Sequence, residues 1–84
     1  MGGMHAASAE KSERLKRTLA ALRAGGLLGR TGAELSRATG SLAISTDISE
    51  LRKNGWIVDR QYEGLSANRR RVHRYTLLGK LEGA

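Results

Sequence analysis

Four arginines and a histidine crowd into the seven residues Arg69-Arg70-Arg71-Val72-His73-Arg74-Tyr75. Each guanidinium is a planar fork of donors whose charge is permanent, a shape that pairs with phosphate oxygens at two points and also fits the edge of a guanine. Upstream, Ser45, Thr46, Ser49, Arg52 and Lys53 recur at spacings that share the outer side of a helix. Short hydroxyls beside two basic groups can donate to phosphates or base edges without holding a duplex away from the backbone. None of these groups has to make or break a bond. Their chemistry is recognition of a polyanion, with Ser45, Thr46, Ser49, Arg52, Lys53, Arg69, Arg70, Arg71, His73 and Arg74 as candidate DNA-binding residues.

Bond-making chemistry finds no support. His5 and His73 are the only histidines, and the eight acidic residues show no paired spacing of the kind a metal-dependent nuclease uses. Gly25-Gly26 is not followed by the Gly-Lys-Ser/Thr that closes a phosphate loop. Cysteine is absent, which removes disulfides, Cys-ligated zinc and thiol catalysis together. The expectation is a protein that is not an enzyme and takes no cofactor, metal or small-molecule substrate.

The formal net charge is +7 for 84 residues, and arginine supplies eleven of the fifteen basic side chains. A GC-rich genome alone would raise arginine, but it would not cluster it. Double-stranded DNA is therefore the expected partner, with self-association left open. The longest strongly apolar run, Trp56-Ile57-Val58, is far too short to span a bilayer, and Met1 to Ala9 lacks the apolar stretch of a signal peptide. The expected location is the cytoplasm.

The elements that must position these groups can be read along the chain. Leu15, Leu19 and Leu22 fall at i, i+4 and i+7, predicting a first helix that begins near Ser8 or Ser12 and stops at Gly25-Gly26. Thr31-Gly32-Ala33-Glu34 is a capping box opening a second helix of barely two turns, which Thr39-Gly40 ends. Ile44, Ile48 and Leu51 repeat the same spacing in a third helix, capped by Ser41 or Ser45 and stopped at Asn54-Gly55. With those three inward, Thr46, Ser49 and Lys53 face outward and Ser45 and Arg52 flank them, while Asp47 and Glu50 count against phosphates crowding the whole helix. Trp56 to Glu63 alternates as a strand, Gly64 to Asn68 is a loop tip, and Arg69 to Leu77 returns as the second strand. A short extended piece near Leu27-Leu28 is expected to join the sheet. The expected core is Leu15, Leu19, Leu22, Leu27, Leu35, Leu42, Ile44, Ile48, Leu51, Trp56, Val58, Tyr75 and Leu77.

The segment Asp47-Ile48-Ser49-Glu50-Leu51-Arg52-Lys53-Asn54-Gly55-Trp56-Ile57-Val58, with Arg74-Tyr75-Thr76-Leu77 closing the hairpin, resembles a family of small phage and prophage helix-turn-helix domains. Its signature runs Ile-x-Glu-Leu-Arg-x-x-Gly, then an aromatic residue or histidine and a β-branched one. The likeness extends loosely from Leu15 to Leu77 and is specific over about a dozen residues. It implies an α+β winged helix-turn-helix, three helices plus a C-terminal β-hairpin wing, with Glu50 and Arg52 as scaffold or backbone-contact positions. Many members carry a basic residue where this chain has Asp47, so no DNA contact carries over to that position. The layout expected is a tail over 1–9, a winged-helix domain over 10–78 and a tail over 79–84. The function expected is a sequence-specific regulator of transcription, transposition or excision, reading the major groove with its third helix. A DNA-recruiting packaging protein, like a small terminase subunit, and a protein-interaction adaptor are the alternatives.

Overall fold

A computed structural model describes residues 12–81. Three helices, α1 (Glu13–Gly25), α2 (Gly32–Thr39) and α3 (Ile44–Lys53), pack on an antiparallel sheet of β1 (Arg30–Thr31), β2 (Trp56–Leu65) and β3 (Arg71–Lys80). The chain order is α1-β1-α2-α3-β2-β3 and the sheet order β1-β3-β2, with β3 in the middle. The tail expected over 1–9, and Ser8 as a cap, lie outside the described residues. Ser12 caps α1, its hydroxyl accepting from the Leu15 N–H at 3.2 Å.

The capping box of α2 forms in full. Thr31 Oγ1 accepts from the Glu34 N–H at 3.2 Å, and Glu34 Oε1 accepts from the Thr31 N–H at 2.8 Å. Gly40, in the left-handed conformation, ends the helix. So short a helix depends on its neighbours; Leu35 buries completely against α1 and α3. The core joins Leu15, Leu19, Ala21, Leu22, Leu35, Ile44, Ile48, Leu51, Val58 and Tyr75, with Trp56 and Leu77 half-buried at its edge. The Trp56 ring is flanked by two cations, Arg23 at 5.2 Å and Lys80 at 5.1 Å from its centre.

Several expectations need correction. Leu27 and Leu42 are 89% and 97% exposed, because each sits in a tight connection whose backbone turns before the side chain can reach the core. Gly26–Leu28 is a 3-10 turn rather than an extended piece, and the strand that joins the sheet is Arg30–Thr31. Gly29 makes this shift possible. At φ +72°, an added Cβ there would meet Thr76 Oγ1 at 2.5 Å and the Tyr75 carbonyl oxygen at 2.7 Å. Only a glycine brings the chain close enough for Arg30 and Thr31 to pair with Tyr75 and Arg74.

Neither serine caps α3. Its cap position is Ala43, without a side-chain bond, and Ser41 instead builds the preceding turn by accepting from the Ala43 N–H. The hairpin is longer and displaced toward the C-terminus. β2 runs on through Leu65, and β3 starts at Arg71, which leaves Arg69 and Arg70 in the turn. Gly79 and Lys80, expected in a tail, belong to β3, where Lys80 pairs with Trp56.

Candidate nucleic-acid interface

The rotation of α3 decides what it offers to solvent. Ile44, Ile48 and Leu51 turn inward as their spacing dictates, and Asp47 turns in with them, 0% exposed. Its carboxylate is met from α1. Arg14 Nε lies 2.9 Å from Asp47 Oδ1, an ion pair out of line for a hydrogen bond, and Thr18 Oγ1 lies 3.1 Å from Asp47 Oδ2. The Thr18 hydroxyl is equally close to the Arg14 carbonyl, so its single proton serves one acceptor at a time. Arg14 also pairs with Glu50 through Nη2. Both acids of α3 are thus drawn onto one arginine of α1. The objection that Asp47 and Glu50 would repel phosphates along the helix loses its force.

Ser45, Thr46, Ser49, Arg52 and Lys53 are all exposed. Ser45, Ser49 and Arg52 share the flank that faces the sheet, where they border a notch between α3 and the hairpin. Ile48 and Tyr75, both buried, line it from the core, and Arg60 of β2 closes it opposite the helix. Its volume is about 250 Å³ and no carboxylate lines it. Arg52 is held there, donating to the Val58 carbonyl from Nη2 at 2.7 Å and from Nε at 3.3 Å. It joins the helix to β2 and keeps its charge at the rim.

Sequence reasoning missed Arg60 as a site residue. The signal was present in the alternation Trp56, Val58, Arg60, Tyr62: a charge in the register of inward residues must find either water or a partner. Arg60 lies directly across from Tyr75, and Tyr62 across from His73. The rings form a row on that face, Tyr62 to His73 at 5.5 Å and His73 to Tyr75 at 6.5 Å between centroids. His73 is half-buried within this row rather than a free surface donor.

The arginine run is not one cluster. Arg69 and Arg70 sit in the turn and Arg71 at the start of β3, all exposed. Arg74 points to the opposite face from His73 and Tyr75. There it bonds Glu63 at 2.7 Å and the carbonyls of Leu28 and Gly29 at 3.2 and 3.3 Å. Its work is to tie the 3-10 turn to the sheet. The tip itself is firmly built: the Arg69 N–H donates to the Ser66 carbonyl at 2.9 Å, and the Ser66 N–H to the Arg70 carbonyl at 2.8 Å.

A surface of hydroxyls and cations therefore runs from α3 across the notch and along the hairpin to its tip. No protein-family model, characterised protein or solved structure matches this chain. Among the described residues no group of histidines and acids could hold a metal ion, and no helix is long and apolar enough to cross a membrane.

Proposed function

We propose that this domain is a winged helix that binds double-stranded DNA, with α3 in the major groove and the β2–β3 hairpin as a wing on adjacent phosphates or the minor groove. One observation carries the reading. Both acids of α3 are paired with Arg14, which leaves Ser45, Thr46, Ser49 and Lys53 beside Arg52 on a face whose neighbouring carboxylates are already engaged. The element order, a short strand between the first two helices and a hairpin after the third, supports it, as does the net charge of +7. The resemblance of residues 47–58 to small phage and prophage helix-turn-helix domains supports DNA binding, and control of transcription, transposition or excision is the output proposed, in the cytoplasm beside the DNA.

The test is binding to duplex DNA across a salt series, for the wild type and for Arg69, Arg70 and Arg71 changed together to glutamine. Each lost phosphate contact flattens the slope of log affinity against log salt by about 0.9. One or two of these three arginines can reach one duplex from a twisted tip, so the triple variant should lose roughly one to two units of slope and keep its sequence preference. Changing Thr46 and Ser49 together to glutamate should weaken specific binding while thermal melting stays nearly unchanged. A wild type without salt-sensitive duplex binding overturns the reading.

A further inference from the structure

We infer that the notch between α3 and β2 seats a single backbone phosphate of the duplex, bound by Arg60 together with the hydroxyls of Ser45 and Ser49. This rests on the DNA reading and adds to it a site that joins the helix to the wing. At about 250 Å³ the notch falls below the roughly 300–1,000 Å³ of a small-molecule pocket. It has room for a phosphodiester group and its ester oxygens.

The lining matches that ligand. Two hydroxyls on one wall, Ser45 and Ser49, are one helical turn apart and stand over a floor of buried Ile48 and Tyr75. A concave wall of low-dielectric protein behind the cations focuses their field, so an anion is drawn more strongly there than on a flat surface. Arg52 is immobilised on the Val58 carbonyl, so its charge is present before any ligand arrives. Arg60 is the opposite case: exposed, and with no hydrogen bond or ion pair to another described residue. The nearby carboxylates are committed elsewhere, Asp47 and Glu50 to Arg14 and Glu63 to Arg74, while Asp59 points to the other face of β2. A cation in an inward register, beside a second fixed cation and two donors, lacks only an anion. Arg60 and the serines bind the phosphate; Arg52 acts as a positioning residue that holds the rim and the local potential.

The experiment pairs changes on both molecules. A duplex enriched by the protein from a random pool carries one neutral methylphosphonate at a time, and each is bound by the wild type and by Arg60→Gln. Arg60→Gln should bind the unmodified duplex about ten- to a hundredfold more weakly, as losing one charge-assisted contact implies, with a salt slope lower by about 0.9. Its melting temperature should not change, since the side chain is exposed. At one phosphate per bound copy, neutralisation that weakens the wild type should no longer weaken Arg60→Gln. Ser45→Ala with Ser49→Ala should map to that same phosphate, and Arg69→Gln to a different one. Equal sensitivity of wild type and Arg60→Gln at every phosphate overturns the seat while leaving DNA binding intact. If the wild type binds no duplex, the DNA reading falls, and titration with inorganic phosphate decides the notch: saturable amide shifts at Ser45, Ser49 and Arg60, lost in Arg60→Gln, retain an anion site, and their absence removes it.

Discussion

Asp47 carries more of this fold than its residue type suggests. A carboxylate taken fully out of water is tolerable only when paired, and among the described residues Arg14 is its one cationic partner. Arg14→Met should destabilise the domain by about 2–3 kcal/mol, less than the roughly 3–5 kcal/mol of a fully enclosed pair because the Arg14 side chain is partly in water. Adding Asp47→Leu to that variant should recover most of the loss, since two apolar side chains can replace a buried pair. Chemical denaturation of the two variants decides it, and a cost below about 0.5 kcal/mol for Arg14→Met would show that water already serves Asp47. A second carboxylate gives a pH signature. The Thr31 N–H bond to Glu34 holds that carboxyl below its ordinary value of 4.5, helped by Arg74, the Thr31 hydroxyl and Arg30 against an opposing contribution from burial. A lowered folded pKa means that the stabilisation is complete above about pH 4.5 and is lost as pH falls through the folded value. The stability difference between wild type and Glu34→Gln should therefore be present at neutral pH and vanish in acid; a difference that grows below pH 4.5 contradicts the assignment.

At the scale of elements, the tip of the hairpin holds a residue in an unfavourable conformation. Arg69 has φ 62°, the only described non-glycine residue with positive φ, at a turn position that glycine or asparagine fills at less cost. The left-handed region costs a side chain about 1–2 kcal/mol, part of which glycine gives back through its freer unfolded chain. Arg69→Gly should raise stability by up to about 1 kcal/mol while lowering the salt slope of DNA binding by about 0.9. Such a trade, with stability rising as affinity falls, marks strain kept for binding; a variant that loses stability instead shows that the Arg69 side chain supports the turn. What the sequence made readable was local: leucine spacings, the Thr31–Glu34 box and the glycine stops each act within one or two turns of chain. What it hid depends on distant partners. The burial of Asp47 needs Arg14 from another helix, the placement of Arg60 needs Tyr75 from another strand, and the hydrogen bonds of Arg74 need carbonyls from the 3-10 turn. Leu27 and Leu42 misled for the opposite reason, being apolar by type but set in turns too tight to bury them.

For the whole molecule, the distribution of charge and the shape together predict the length of DNA covered. Glu13, Glu34, Asp47, Glu50 and Glu63 each have a partner within the fold, so the excess of cations stays open to an outside polyanion. The described residues extend 45 × 23 × 18 Å. By itself α3, ten residues long, is about 15 Å and covers about four or five base pairs. With the molecule's long axis laid along the same duplex, the 45 Å extent sets an upper limit of about 13 base pairs at roughly 3.4 Å each. Hydroxyl-radical protection by one bound copy should therefore extend over about 10–13 base pairs, and changing Arg69, Arg70 and Arg71 to glutamine should shorten it from one end only. Protection limited to about five base pairs would mean that α3 reads DNA while the hairpin stands away from it. Shortening from both ends in the triple variant would mean that the bound unit is a symmetric pair, with a wing on each flank.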